Sequence, residues 1–231
     1  MNKCEIKFCV HFYGFNTPSG QAFFDQMKSS EYNWEIFNFS REKNAKYSFD
    51  LDHPQKFKNL DFPNPNLIIS FAPIWKIAKF LKHQKLQNKE LFEGLIGIIC
   101  CSSSSIITKR FSFNQYDKDL VESLSNSEKI IKEIALDLNI NCVILRPTLI
   151  YGNVNNFKDK NLNLIINYLR KLPFIFFPKN TGLRQPIHAK ELSLIATKFS
   201  KLIFDNEITE KNPKKMSIFI EVGGDEIVSY L

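Results

Sequence analysis

The chain has 231 residues, of which 44% are hydrophobic, and a formal net charge of +7. That length fits one domain, or one domain with a small appendage, and allows a large core. No apolar run approaches the ~20 residues that span a bilayer, and residues 1–10 lack the apolar block and cleavage site of a signal peptide. A cytoplasmic protein with no membrane contact is therefore expected. The basic residues are scattered, with no arginine cluster and no interleaved aromatic residues, so nucleic-acid binding is not expected.

In chain order, short apolar runs alternate with segments of helical period, the pattern of a parallel sheet with crossover helices. Residues 5–10 read as the first strand, 21–28 as a helix, 34–39 as the second strand and 47–51 as a short third. A fourth strand over 67–71 leads into a helix over 74–84, and 95–101 is a fifth strand, apolar throughout. The longest helix is expected over 118–138 and a sixth strand over 142–145, stopped by Pro147. Helices over 161–172 and 190–204 flank an apolar run at 174–177, and a late strand covers 217–222. The five cysteines (Cys4, Cys9, Cys100, Cys101, Cys142) fall in strand segments or, for Cys4, just before one. With no Cys-x-x-Cys pair and four histidines far apart, they read as small buried hydrophobes, and no metal site is expected. The expected fold is an α/β, Rossmann-type doubly wound sheet.

The turn after the first strand carries Gly14, Thr17 and Gly20, with the two glycines at the outer spacing of a Gly-x-x-Gly-x-x-Gly turn. Glycine there permits a tight turn, close approach of a pyrophosphate and close helix packing, while the helix N-terminus favours negative charge. An ordinary strand-to-helix turn with two glycines is the alternative. About twenty residues on, where an acidic residue would hold a ribose hydroxyl, stand Ser40 and Arg41. Arginine suits a 2′-phosphate, which favours NADP over NAD; a solvated surface arginine is the other reading. Asp52 either accepts from an adenine amino group or caps a turn.

Four further segments fall in order: Ser102 to Ser105; Leu145-Arg146-Pro147-Thr148-Leu149-Ile150-Tyr151-Gly152; Gly182 to Leu192, with Arg184 and His188; and Val222-Gly223-Gly224-Asp225-Glu226. Together with the glycine turn they resemble the NAD-dependent epimerase/dehydratase family, the extended short-chain dehydrogenase/reductases, across nearly the whole chain. The resemblance implies that Gly14, Thr17 and Gly20 hold the cofactor pyrophosphate. By the same token residues 70–73, with Ala72 and Pro73, line the cofactor, and Pro147 and Thr148 pass beside the nicotinamide. Arg184 then meets the diphosphate of a nucleotide sugar or related hydroxylated substrate. It also implies a dinucleotide-binding domain over 1–152 and a small interleaved substrate lobe over 153–231, truncated relative to the family. A homodimer is left open.

The resemblance fails at one place. The family places a Tyr-x-x-x-Lys pair on the helix after the fifth strand, the lysine lowering the tyrosine's pKa so that the phenol can move a proton. At the matching spacing before Ser127-Glu128 stand Leu120 and Leu124. Tyr116, Lys118 and Lys109 are near in sequence, and Ser104 would hold the substrate hydroxyl. Two functions follow: an NAD(P)-dependent epimerase, dehydratase or reductase with substitute acid/base groups, or a catalytically inactive dinucleotide-binding protein for regulation or assembly.

Overall fold

Seven of the segments expected as strands pair in a single parallel sheet. The computed structural model describes residues 7–229 apart from 43–44, 59, 61, 88–89, 160, 173, 175–182 and 211–212. Cys4, the first two residues of the 5–10 strand, Gly182 and all of the 174–177 run except Phe174 lie outside the described residues. The strands are β1 (Phe8–Tyr13), β2 (Trp34–Ser40), β3 (Tyr47–Ser48), β4 (Asn66–Ser70), β5 (Leu95–Cys101), β6 (Asn141–Pro147), β7 (Ile150–Tyr151), β8 (Ile187–His188) and β9 (Ser217–Val222). The helices are α1 (Pro18–Lys28), α2 (Ile74–Gln87), α3 (Ser105–Thr108), α4 (Gln115–Asp137), α5 (Asn161–Lys171) and α6 (Ala189–Thr209).

The sheet order is β3-β2-β1-β4-β5-β6-β9, with every neighbouring pair parallel. The two-residue strands β7 and β8 pair separately. Because both faces of a parallel sheet are covered by crossover helices, the central strands are buried on both sides, and β1, β4 and β6 expose almost nothing. Alternate residues feed two cores. Cys9, Tyr13, Ile68, Ile98 and Ile144 face α2 and α4, while Phe8, Val10, Phe12, Ile69 and Val143 face α1 and α6. Each large apolar side chain so buried contributes about 1.5–3 kcal/mol relative to exposure. Aromatic rings interlock in both cores: Phe8 meets Phe204 of α6 at 4.6 Å, and Tyr13 stacks on Phe39 at 5.0 Å and 12°.

Local chemistry moves several boundaries. β1 runs three residues further than its expected end, to Tyr13. α1 begins at Pro18 rather than 21, because Thr17 takes an extended backbone and caps the helix while proline's fixed φ suits the first helical position. α4 likewise begins early, at Gln115, where Asn114 accepts from the Tyr116 amide at 2.8 Å. β3 keeps only two residues because the chain turns out of the sheet at 50–52. The late strand becomes the seventh member, at the edge beside β6. Among the described residues no helix is long and apolar enough to cross a membrane, and no cluster of His, Cys, Asp and Glu could hold a metal. Cys9, Cys100, Cys101 and Cys142 are free thiols in β1, β5 and β6, and burial pushes Cys9, Cys101 and Cys142 up to about 12.

His11 is fully buried on β1, with its ring 3.7 Å from that of Phe62 and neither nitrogen hydrogen-bonded. Burial pushes its pKa down to about 3. The unfolded chain takes up a proton below about pH 6.5 while the folded one does not, so stability present above that pH is lost as the pH falls. Between pH 6.5 and 5 this one group should cost about 2 kcal/mol. Urea unfolding of His11→Leu should show that acid-dependent loss removed; an unchanged pH dependence would contradict this account of His11.

Candidate functional site

The chain runs outward from β1 to β2 and β3, then crosses back to β4 on the other side of β1. Connections leaving the carboxyl ends of β1 and β4 therefore diverge, and such switch points open a crevice. Here the crevice is a cavity of about 640 Å³, within the ~300–1,000 Å³ typical of cofactor and ligand sites. Its walls come from the loops after β1, β2, β4 and β5, one face of α4, and the loop between β7 and α5.

The turn after β1 forms one wall and is built by backbone proximity. Gly14 has φ +93°, and a Cβ there would lie 2.5 Å from the Ala72 nitrogen and the Phe71 carbonyl carbon. Any side chain would be both strained and without space. Gly20 lies inside the first turn of α1, where a Cβ would come within 2.1 Å of the Gly14 oxygen. Thr17 joins the two: its hydroxyl donates to the Gly14 carbonyl (2.8 Å) and accepts from the Gly20 amide (3.0 Å). The positive end of α1 thus meets the cavity through Thr17, Pro18 and Ser19. Asn16 ties this turn to the one after β2 by donating to Glu42 Oε1 at 2.9 Å and to Ser40 Oγ at 3.4 Å.

Ser40 and Arg41 line the cavity, as do Ala72 and Pro73. Asp52 does not: its carboxylate is paired with Lys76 at 2.5 Å, and the lysine hydrogen bond holds it below the usual carboxylate range. Asp50 and Leu51 take that place in the wall. Asp50 Oδ1 accepts from the Asp52 amide at 3.1 Å, so the turn presents the earlier residues and turns Asp52 outward. Sequence position alone could not separate the two aspartates, because the end of β3 decides which one faces in.

At the other end, Cys101, Ser102 and Ser103 meet Leu120 and Leu124 of α4, which stand one helical turn apart in the wall. Below them lies a buried ion pair that sequence reasoning missed. Arg146 engages Glu128 with both prongs, Nε to Oε1 at 3.0 Å and Nη2 to Oε2 at 2.6 Å, and Ser102 Oγ donates to the same Oε1 at 2.6 Å. The hydrogen bond to Glu128 raises the Arg146 guanidinium above its ordinary value. The available signal was a glutamate on the apolar stripe of α4 and an arginine ending an apolar strand, since buried charges need partners.

Ser104 is outside the wall; its amide donates to the Pro147 oxygen at 2.9 Å. Pro147 and Thr148 are outside it too, the Thr148 amide pairing with the Val222 oxygen at 3.0 Å. Arg184 forms a mutual backbone bridge with Val228 at 2.7 Å, and its Nη1 reaches the Leu183 carbonyl at 3.1 Å, away from the cavity. Tyr116 and Lys118 are exposed, and Lys109 is held on Asp117 at 2.7 Å. None of these three lines the cavity. The motif segments instead hold one another: Gly152, at φ +100°, lies against the His188 ring, and Gln185 donates to the Gly224 carbonyl at 2.7 Å. Lys158 and Asp159, which no motif singled out, are in the wall.

No protein-family profile and no curated protein matches this sequence. Solved structures do match by fold. A UDP-galactose 4-epimerase superposes with a TM-score of 0.65 at 12% identity, covering 96% of this chain and 79% of that one. The UDP-glucuronic acid 4-epimerase of Bacillus cereus, in complex with UDP-glucuronic acid and NAD, gives 0.60 at 16% identity with the same coverage. The dTDP-glucose 4,6-dehydratase of Bacillus anthracis, in complex with NAD, gives 0.60 at 12% identity, covering 96% and 77%. The chain therefore shares the Rossmann-type α/β fold of these enzymes.

Removing Glu128 would leave Arg146 and Ser102 without their common partner. Glu128→Ala should cost about 3 kcal/mol in urea unfolding, the lower end for a broken buried pair because Arg146 is one-fifth exposed. A loss below about 1 kcal/mol, the value of a surface pair, would count against that role.

Proposed function

We propose that this chain binds a nicotinamide dinucleotide in the switch-point cavity and takes a nucleotide sugar, or a related hydroxylated compound, at the β5–α4 end. The observation that carries this reading is the Gly14–Gly20 turn, closed to any side chain and opening the cavity onto the N-terminus of α1. The epimerase of the same fold solved with UDP-glucuronic acid and NAD, and the dehydratase solved with NAD, lend it support.

In this reading Gly14, Thr17 and Gly20 shape the pyrophosphate seat, and Ala72 and Pro73 flank the cofactor. Asp50 and Leu51 take the adenine end, since Asp52 is engaged by Lys76. Ser40 and Arg41 stand at the ribose, where a guanidinium favours the 2′-phosphate of NADP. The bound cofactor supplies a hydride donor or acceptor at its nicotinamide ring. Ser102, its own proton committed to Glu128, can accept from a substrate hydroxyl, and Ser103 lies beside it. Cys101 stays protonated because burial pushes its thiol up to about 12. Pro147, Thr148 and Ser104 act from behind this wall, and Arg184 would meet a substrate diphosphate only beyond it.

Leu120 and Leu124 favour a second reading, in which the chain holds its ligands without turnover. They give that part of the wall an apolar surface and cannot move a proton. The two readings part experimentally. Titration calorimetry should show NADPH binding more tightly than NADH, with Arg41→Ala weakening NADPH about tenfold and leaving NADH nearly unchanged. Tighter NADH would remove the 2′-phosphate role, and binding of neither would end the dinucleotide reading. Tight binding with no NADPH oxidation across a panel of UDP- and dTDP-keto-sugars would select the second reading.

A further inference from the structure

The loop between β7 and α5 is folded down onto α1. Val154 is buried against Ala22 of α1 and pairs its own backbone with that of Phe157, amide to carbonyl in both directions at 3.0 Å. Asn155 Nδ2 donates to Gln21 Oε1 at 3.1 Å and Asp25 Oδ2 at 3.2 Å. The Phe157 ring meets that of Phe15, in the glycine turn itself, at 6.3 Å. Three separate contacts thus fix this loop over the first turns of α1, next to the turn that closes on Gly14.

The loop carries two charged residues into the cavity wall, and only one is occupied. Asp159 caps α5, accepting from the Leu162 amide at 2.6 Å and from Asn163 Nδ2 at 2.8 Å. Lys158 makes no hydrogen bond or ion pair among the described residues. Of the other cations in the wall, Lys76 is held by Asp52, and Arg41 stands beyond β2. The helix end also has one donor fewer than usual: Pro18 stands at its first position and has no N–H, so an amide that could have met a phosphate is missing.

We infer that Lys158, held over the glycine turn by the docked 153–159 loop, is a phosphate ligand that completes the anion site of α1 by binding the cofactor's diphosphate. The inference rests on the dinucleotide reading above. It assigns Lys158 to the adenosine diphosphate part of the ligand, which ADP shares with NADPH, and not to the nicotinamide or the sugar substrate. An ammonium supplies there the charge that proline withholds. It also gives the residues after Gly152 a direct hold on the cofactor, so that cofactor binding draws this loop tighter onto α1.

The test is calorimetry of ADP, NADPH and UDP-glucose with the wild type, Lys158→Ala and Lys158→Arg, with Lys82→Ala on the exposed face of α2 as a control for net charge. Ligand-free melting should be unchanged in all variants, because Lys158 is exposed and makes no ion pair among the described residues. Lys158→Ala should weaken ADP and NADPH by the same factor, about tenfold, while Lys158→Arg and Lys82→Ala stay within about threefold of wild type. Unchanged ADP affinity overturns the inference, whether NADPH or UDP-glucose is affected or not. An equal loss in Lys158→Arg also overturns it, because charge would not then be what matters. If the wild type binds neither ADP nor NADPH, the dinucleotide reading falls with it; if it binds both and Lys158→Ala binds them as tightly, only the role of Lys158 falls.

Discussion

The cavity exists because backbone meets backbone at one point. Gly14 presses its α-carbon against the Phe71–Ala72 peptide, and Gly20 presses the start of α1 against the Gly14 carbonyl, with Thr17 hydrogen-bonded to both. These contacts set how near α1 comes to β4, and hence how wide the crevice opens between the loops after β1 and β4. A methyl group at either position would separate the layers by more than a flexible side chain could absorb. The Asn16 bonds to Ser40 and Glu42 carry the same constraint to the turn after β2.

The fold was legible because β1, β4, β5 and β6 are buried on two faces and so read as short, mostly apolar runs. What was not legible depends on contacts distant in sequence. The end of β3 is set by where the chain leaves the sheet, which turned Asp52 out to Lys76 and brought Asp50 in. Thr17 and Asn114, both good N-capping residues, could have corrected the starts of α1 and α4. Gly14, Thr17, Ser40, Arg41, Ala72 and Pro73 line one cavity, while Gly20 stands behind Thr17 and outside the wall. Ser104, Pro147, Thr148 and Arg184 stand outside the same wall, and Lys158 had no motif to mark it.

The segments that carried the resemblance have a common physical use. Ser104 bonds Pro147, Thr148 bonds Val222, Ile187 bonds Leu149, and Gln185 bonds Gly224. They are the interlock by which the ends of β5, β6 and β9 are held together, with Arg146, Glu128 and Ser102 beneath. Such an interlock supports a site without touching its ligand. Leu120 and Leu124 of α4 lie in the cavity wall close by.

The docking of α6 on α1 bears on how the molecule is assembled. Phe204 packs on Phe8, Thr197 Oγ1 donates to Gln26, and Gln26 donates to the Lys190 carbonyl, so the helix that seats the glycine turn is covered by residues some 170 positions later. Contacts so distant along the chain form late and slow the search for the native state. During synthesis the first five strands would emerge with Phe8, Phe23 and Met27 still uncovered, an apolar surface open to chaperones or to aggregation until α6 arrives. The half that bears the glycine turn thus leaves one face of its sheet without a cover until α6 packs on it.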